Sequence, residues 1–180
     1  QDILYLLNSD CNINNMEILK YILSIIVFFI GCSNSIDKIS IIGNGVVDRE
    51  SRAIEKFHSI DVRGAFNVVV KNSNNYKVQI ETDQNIIEYI NTDIIDEVLF
   101  IKYTEKGTYL ESKQTTIFIN MPTLKYVSSS GANTFHIENI KNEDLLEING
   151  VGEGKISING SAKDVKMDIA GSLSIFAKNL

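Results

Sequence analysis

From about residue 55 onward, apolar and polar positions alternate along short segments rich in β-branched residues. Alternation with a period of two puts Val78 and Ile80 on one face of a strand and Gln79 and Glu81 on the other. Turn-forming or charged residues bound the segments, which predicts strands at residues 67–71, 77–82, 98–103 and 115–120. Residues 83–91 have the only helix-like pattern, and they are too short for an independent helix, so a turn of helix or a loop is predicted there.

The last third of the chain repeats a glycine pattern about every twenty residues. GANTFHIE from Gly131, GEGKISIN from Gly152 and GSLSIFAK from Gly171 align at spacings of 21 and 19 residues, and each follows another short strand. Such a repeat without a helix indicates stacked coils, each too small to bury its inner face alone. The predicted inward-facing residues are Val127, Phe135, Ile137, Leu146, Ile148, Ile156, Ile158, Val165, Met167, Ile169, Leu173 and Ile175.

These patterns predict an all-β chain whose main part is a parallel β-helix, a single-stranded solenoid. The three repeat glycines are expected at corners that need unusual backbone angles. Asn149-Gly150 and Asn159-Gly160 are further corner candidates. Because Asn-Gly also favours two-residue hairpins, an antiparallel meander or sandwich is the structural alternative.

Near the N-terminus, an apolar run of ten residues ends at Gly31-Cys32 and passes into small polar residues. Only eleven residues separate Lys20 from Cys32, whereas a membrane-spanning helix needs about 20. A short charged segment from Met16, an apolar segment and a small residue before the cut are typical of a secretory signal peptide. A buried core helix of a cytosolic protein is the alternative.

Phe29-Ile30-Gly31-Cys32 resembles the bacterial lipobox, where a signal peptide is cut and the cysteine sulfur is acylated. Cys32 is therefore predicted to be lipidated, with several acyl chains that each add about 0.8 kcal/mol of membrane affinity per buried CH₂; a free buried thiol is the alternative. The other cysteine, Cys11, lies upstream of Met16, so no disulfide or cysteine metal site is predicted. The predicted organisation is residues 1–15 outside the natural product, 16–31 a lipoprotein signal peptide, 32–44 the lipidated cysteine and a tether, and 45–180 the β-helical domain.

No catalytic, cofactor or metal site is predicted. The chain has 17 Lys and Arg against 23 Asp and Glu, dispersed along its length, which argues against a nucleic-acid partner. Alternation points His136 outward, and a histidine without neighbouring ligands is a poor metal site. Residues 128–130 are serines without a nucleophile-elbow pattern, interpreted as turn and outward strand residues. GVGEG at 150–154 lacks the ending of a phosphate-binding loop.

Two sets of outward residues leave two further hypotheses open. The first is a set of acids that stacked coils could bring together: Glu138, Glu147, Asp164 and Asp168. Paired carboxylates would permit polysaccharide cleavage or calcium binding, whereas a solvated face is the simpler interpretation. The second is an aromatic patch for sugar or protein contact: Tyr103, Tyr109 and Tyr126.

The hydrophobic and glycine pattern resembles the family described as putative auto-transporter adhesin, head GIN domain, from about Gly43 to Leu180. The residues that carry the resemblance are Phe57, Ile60, Val62, Gly64, Ala65, Phe66, Val68, Val70, Val78, Ile80, Thr82, Asp83, Asp96, Val98, Leu99, Ile101, Ile117, Ile119, Met121, Pro122, Leu124, Ser130 and Gly131. The resemblance implies a right-handed β-helix, often on a bacterial lipoprotein. Family members usually continue for more coils, so the chain is expected to be truncated after FAKNL or to be an unusually short member.

These observations predict an exported, lipid-anchored and non-catalytic protein of the cell envelope, an outer-membrane lipoprotein facing the periplasm or the cell surface. Its expected role is adhesion, envelope interaction or carbohydrate binding, with the membrane and an envelope glycan or protein as partners. A polysaccharide lyase or hydrolase on the same scaffold is the alternative. A passive envelope or sensor-associated domain that works through partner chains is a third reading.

Overall fold

The computed structural model describes residues 40–104, 109–111 and 114–180. Their strands are β1 (Ser40–Ile42), β2 (Val47–Arg52), β3 (Ser59–Gly64), β4 (Asn67–Asn72), β5 (Lys77–Asp83), β6 (Ile90–Ile95), β7 (Val98–Tyr103), β8 (Tyr109–Glu111), β9 (Thr116–Met121) and β10 (Tyr126–Lys178). One turn of 3₁₀ helix, Ile87–Tyr89, lies in the segment with the helix-like pattern. The prediction of an all-β chain is confirmed, and the four predicted strands coincide with β4, β5, β7 and β9.

Eight strands form one sheet in the order β2-β5-β9-β4-β10-β3-β7-β6. Residues 126–131 of β10 pair in parallel with β3, and residues 134–138 pair in parallel with β4. Parallel pairing continues outward from β3 to β7 and from β4 to β9. At both ends of the sheet the pairing turns antiparallel, in β2–β5, β5–β9 and β6–β7. The sheet is therefore mixed, and it does not confirm the predicted parallel β-helix, a single-stranded solenoid.

A separate parallel pair joins β1 to β8, with Ser40 opposite Tyr109. β1 lies inside the segment predicted as a tether, so regular structure reaches back at least to Ser40. The predicted signal peptide and Cys32 lie outside the described residues. In the part of the chain that the structure describes, no helix is long and apolar enough to cross a membrane.

The spatial order of the strands differs from their order in the chain. β3 lies between β7 and β10, and β4 lies between β9 and β10. Both β3 and β4 nevertheless precede β7 in sequence. The chain must therefore pass the level of β3 and β4 in the four residues 122–125, between β9 and β10. Lys125 marks this passage, because its backbone N–H donates to His58 O at 2.8 Å and its carbonyl accepts from Glu147 N at 2.9 Å.

β10 has 53 residues and stacks successive parts of itself at a column of glycines. Gly131 has φ +102°, and a Cβ there would lie 2.3 Å from the backbone oxygen of Gly64. In the same way, a Cβ at Gly152 would meet the oxygen of Gly131, and one at Gly171 the oxygen of Gly152. The column shows that the corners follow one another at the predicted spacings of 21 and 19 residues. Only glycine fits these corners, since the backbones are too close for a side chain.

The core is a continuous stack of aliphatic and aromatic side chains between two halves of the sheet, one around β3 and the other around β4. Inward residues of neighbouring strands are aligned, for example Ile80, Ile117, Val68 and Phe135, each of which is fully buried. Seven of the predicted inward-facing residues of β10 are buried: Val127, Phe135, Ile137, Leu146, Ile148, Ile156 and Ile158. Ile169, Leu173 and Ile175 pack against the core and are partly buried.

The structure corrects four expectations about individual residues. Val165 and Met167, predicted in the core, are 37% and 43% exposed, because among the described residues they pack against a neighbouring coil on one side only. Ser129 was interpreted as outward, but it is buried and accepts a hydrogen bond from Asn133 Nδ2 at 3.2 Å. Gly150, a predicted corner, does not have the positive φ of the other corner glycines, and a Cβ there would meet the side chains of Leu173 and Ile169.

Candidate binding surface

The two histidines lie in different surroundings, His58 in contact with a serine and a glutamate and His136 on the outer surface. His58 Nδ1 lies 2.7 Å from Ser59 Oγ, and its Nε2 lies 3.0 Å from Glu97 Oε2. Glu97 belongs to the two-residue turn between β6 and β7, where it and Asp96 have φ of 61° and 50°. Positive φ at both positions is the geometry of a type I′ hairpin. The His58 contacts therefore fasten this hairpin to β3, while His136 is exposed, as predicted from the alternation.

The four acids singled out from the sequence do not converge on one site. Glu138 pairs with Lys71, 3.3 Å away, on the outer side of β4. Glu147 lies on the half of the sheet around β3 and accepts a hydrogen bond from Lys166 Nζ at 2.6 Å. This contact, with a smaller effect of Asp168, raises the pKa of the exposed Lys166. Asp164 and Asp168 are exposed, and no three His, Cys, Asp or Glu side chains of the described residues group as metal ligands.

The predicted tyrosine patch is not assembled either. Tyr126 pairs across strands with Ser59, at the beginning of β3, whereas Tyr103 follows Lys102, which pairs with Arg63 near the other end. Tyr103 is half-buried: its ring lies 4.4 Å from the Phe66 ring, and its hydroxyl donates to Ala65 O at 3.1 Å. Burial raises the pKa of Tyr103 above its ordinary value. Tyr109 has no described side chain.

What the outer surface offers is two broad sheet faces, each formed by outward side chains of parallel and antiparallel strands. The β3 face consists of the outward residues of β6, β7, β3 and 126–130 of β10. The β4 face consists of the outward residues of β2, β5, β9, β4 and 134–138 of β10, with residues 155–159 and 174–178 stacked beyond them. The interior between the faces is filled by fully buried Ile, Val and Phe side chains, so in the part of the chain that the structure describes a ligand would meet the outer surface.

A small groove of about 200 Å³ crosses the β3 face. Its lining side chains are Asp61, Arg63, Asp93, Ile95, Phe100, Ile101 and Lys102. The Arg63 guanidinium donates hydrogen bonds to the Asp61 carboxylate from Nε at 2.8 Å and from Nη2 at 3.1 Å. This pairing raises the pKa of Arg63. The same guanidinium lies 5.9 Å from the centre of the Phe100 ring. The groove is smaller than typical small-molecule sites, which occupy about 300–1,000 Å³, and its cations are balanced by carboxylates.

The β4 face is more open and more basic. Arg49 forms an ion pair with Glu81 and lies over the Phe118 ring at 4.6 Å from its centre. Further along, His136, Glu138, Asn139, Ser157 and Asn159 border a shallow depression of about 380 Å³. No pattern in the sequence singles out Arg49 or Phe118, since the contact joins β2 to β9, which lie more than sixty residues apart.

A buried amide at the corner between the two faces holds their strands in place. Asn133 is fully buried, and its Oδ1 accepts a hydrogen bond from Phe66 N at 3.0 Å. Its Nδ2 donates to Ser130 O at 3.0 Å and to Ser129 Oγ at 3.2 Å. Buried polar groups need such partners, so Asn133 ties the corner of β10 to the corner between β3 and β4.

A family model described as "putative auto-transporter adhesin, head GIN domain" matches residues 56–180, from β3 to β10. The chain belongs to this family. The head GIN domain thus includes both outer faces except for β2, which precedes the matched residues.

Solved structures with the same fold carry similar descriptions. A "putative lipid binding protein" from Parabacteroides distasonis is 22% identical, with a TM-score of 0.55 over 75% of this chain and 65% of that chain. A "putative adhesin" from the same organism is 20% identical, with a TM-score of 0.54 over 78% and 70% of the two chains. A "putative adhesin" from Bacteroides fragilis is 15% identical, with a TM-score of 0.50 over 77% and 100%.

These likenesses show the fold alone, and this chain spans only 65% of the length of the first structure. The family and the three structures are described as adhesins or as a lipid-binding protein, and not as enzymes. No curated protein matches the chain.

Proposed function

We propose that this head GIN domain is an exported, non-catalytic adhesin-like module that binds an envelope glycan or protein on its outer sheet faces. The observation that carries the proposal is the contrast between a solid interior and two exposed faces rich in polar, charged and aromatic side chains. Among the described residues the filled core leaves little room for an enclosed small substrate, whereas a broad face suits an extended partner. The description of the family as adhesins supports an extracellular or envelope-associated location.

The finer fold proposed for the parallel part is a right-handed β-helix. The glycine column at Gly64, Gly131, Gly152 and Gly171 supports in-register stacking, and parallel crossover connections are right-handed in about 98% of cases. Cysteines at Ser128 and Asn149, one coil apart, are expected to form a disulfide, because neighbouring strands are about 4.8 Å apart. The pair Ser128 and Asp168, two coils apart, is the matched control and should stay reduced. Both variants also carry Cys11→Ser and Cys32→Ser. If neither pair forms a disulfide on oxidation, the in-register stacking is wrong.

Lipid anchoring through Cys32 is proposed from the lipobox-like residues 29–32, as an outer-membrane lipoprotein facing the periplasm or the surface. Mass spectrometry of the membrane fraction is expected to find an acylated N-terminal Cys32 and no peptide from residues 16–31. Cys32→Ser should move the protein to the soluble fraction. A chain found in the membrane fraction with an unmodified Cys32 would contradict the anchor.

Binding is tested with a glycan array and with pull-down from envelope fractions. The expected result is retention of at least one glycan or envelope component by the full chain, and weaker retention after charge reversal on one outer face. The failure of every glycan and envelope fraction to bind would count against the adhesin-like function. New reducing ends or unsaturated products released from polysaccharides would instead indicate an enzyme.

A further inference from the structure

The outward side chains of the β4 face carry an excess of positive charge. Its cations are Arg49, Lys71, Lys77, Lys155 and Lys178, and its anions are Glu81, Glu138 and the buried Asp83 at the end of β5. The whole chain has the opposite sign, with a net charge of −6. A basic face on an acidic protein attracts an anionic partner to that face and repels it from the remaining surface.

Three of these cations have no carboxylate partner among the described residues. Arg49 pairs with Glu81 and Lys71 with Glu138, which leaves Lys77, Lys155 and Lys178. Lys155 Nζ lies over the Phe176 ring, 4.7 Å from its centre. All three lysines are exposed, so their ammonium groups are accessible to an incoming anion.

The centre of the face is a row of uncharged or aromatic residues between these cations. Cross-strand pairing places Phe118 beside both Gln79 and Val69, and Val69 beside His136. Successive side chains along this row are about 4.8 Å apart, which is the distance between neighbouring strands. The row ends at Phe176, which is 56% exposed. The Phe118 and Phe176 rings, with Arg49 and Lys155 over one side of each, offer their remaining apolar surface to sugar rings. Amide and hydroxyl groups beside them can bind sugar hydroxyls.

We infer that the β4 face binds a linear anionic polysaccharide laid across the strands, with its carboxylate or sulfate groups paired to Lys77, Lys155 and Lys178. The inference rests on the proposed function, binding of an envelope glycan, and names the chemical class of that glycan. Its polar and aromatic centre matches the amphipathic faces of sugar rings, and its flanking cations match the acidic groups.

Two other anionic partners match this face less well. Duplex nucleic acid presents one charge about every 1.7 Å and calls for closely clustered cations, whereas here strands with Asn120 or Thr134 separate the lysines. An anionic membrane calls for four to eight adjacent cations or an inserted apolar helix. The cations of the β4 face are dispersed among neutral side chains, so the saccharide is the partner that fits.

The test measures binding of the full chain to polygalacturonate, a uronic acid polymer, and to the same polymer after reduction of its carboxyl groups. The variant is Lys77→Glu with Lys155→Glu. The matched control is Lys102→Glu with Lys166→Glu, which reverses two exposed lysines away from the β4 face, one on the β3 face and one in the last coil of β10, and changes the net charge equally. We expect measurable binding to polygalacturonate, at least tenfold weaker binding by the variant, and a change of less than about threefold in the control, since reversal acts mainly on nearby charges.

Each outcome decides the inference. Loss of binding after carboxyl reduction, together with loss in the variant alone, supports it. Equal binding of the reduced polymer, equal weakening in the control, or tighter binding to duplex DNA or to anionic phospholipid vesicles overturns it. If the chain instead retains a neutral glycan or an envelope protein, the proposed function stands and only the charge class is wrong. Circular dichroism of both variants confirms that they are folded.

Discussion

The first and last coils of β10 follow the same sequence pattern but differ in burial. In the first coil Val127, Phe135 and Ile137 are at most 1% exposed, because β3 and β4 cover them on one side and the next coil on the other. In the last coil, the corresponding inward residue Met167 is 43% exposed, and Ile175 is only partly buried. Periodicity therefore indicates which way a side chain points, whereas neighbours on both sides determine how much it contributes to stability.

Truncating one inward side chain in each coil tests this difference most strongly. Phe135→Ala should lower the free energy of unfolding by about 3–5 kcal/mol, because it leaves a cavity in a fully packed layer. Ile175→Ala should cost only about 1 kcal/mol, since part of its surface already contacts water. Urea denaturation followed by circular dichroism measures both values. Similar losses at the two positions would show that the last coil is as well supported as the first.

The glycine column provides a second test, with the same backbone geometry in both coils. Gly131 and Gly171 have φ of +102° and +114°, and a Cβ at either would lie 2.3 Å from a backbone oxygen of the coil below. Gly131→Ala should cost about 2–4 kcal/mol, from backbone strain and a clash that is surrounded by packed structure. Gly171→Ala should cost less than half as much, because the last coil can open locally without the rest unfolding.

Hydrogen exchange of the glycine variants separates local from global effects. Gly171→Ala should speed amide exchange mainly in residues 165–178, while Gly131→Ala should speed it through β3, β4 and the whole of β10. If Gly171→Ala instead accelerates exchange throughout the sheet, the last coil is cooperative with the first, and the contrast between them does not hold.

Local features of the fold could be predicted from the sequence because they depend on near neighbours. Alternation located β4, β5, β7 and β9, and the glycine spacing located the corners at Gly131, Gly152 and Gly171. The placement of β4 between β9 and β10, and of β3 between β10 and β7, could not be predicted, since it depends on pairing between distant residues and on a crossing in only four residues. Ser129 and Asn133 were missed for a related reason, because a buried polar residue has no periodic signal.

The same limit applies to the candidate surface. Outward positions such as His136 followed from alternation, but their lateral neighbours depend on strand order. The row that joins Gln79, Phe118, Val69 and His136 crosses four strands whose register no local pattern specifies. The excess of cations on the β4 face is therefore visible only after the strands are aligned, although each lysine is plain in the sequence.

Asn133 marks a further difference between the two coils, because Leu173 follows the column glycine Gly171 at the same distance as Asn133 follows Gly131. Asn133→Ala should cost about 1–3 kcal/mol, since Phe66 N loses its buried acceptor. Asn149→Ala is a suitable control, because its hydrogen bond to the Tyr126 hydroxyl is only partly buried, and it should cost less than about 1 kcal/mol. Urea denaturation of both variants measures the difference, and equal losses would contradict a special role for the buried amide.

The smallest expected effect is a loss of stability at alkaline pH, caused by Tyr103 of β7. The last coil has no tyrosine and contributes no such effect. Burial raises the pKa of Tyr103 above 10.0, its ordinary value in an unfolded chain. Below that pH both states keep the proton, but as the pH rises beyond it the unfolded state ionises first, so stability falls until the folded hydroxyl also ionises. Tyr103→Phe should remove this part of the pH dependence, while costing about 1 kcal/mol at neutral pH for the lost hydrogen bond to Ala65 O. Urea denaturation at a series of pH values above neutrality measures the slope, and an unchanged slope in Tyr103→Phe would mean that the packing against Phe66 does not hold the hydroxyl in its protonated form.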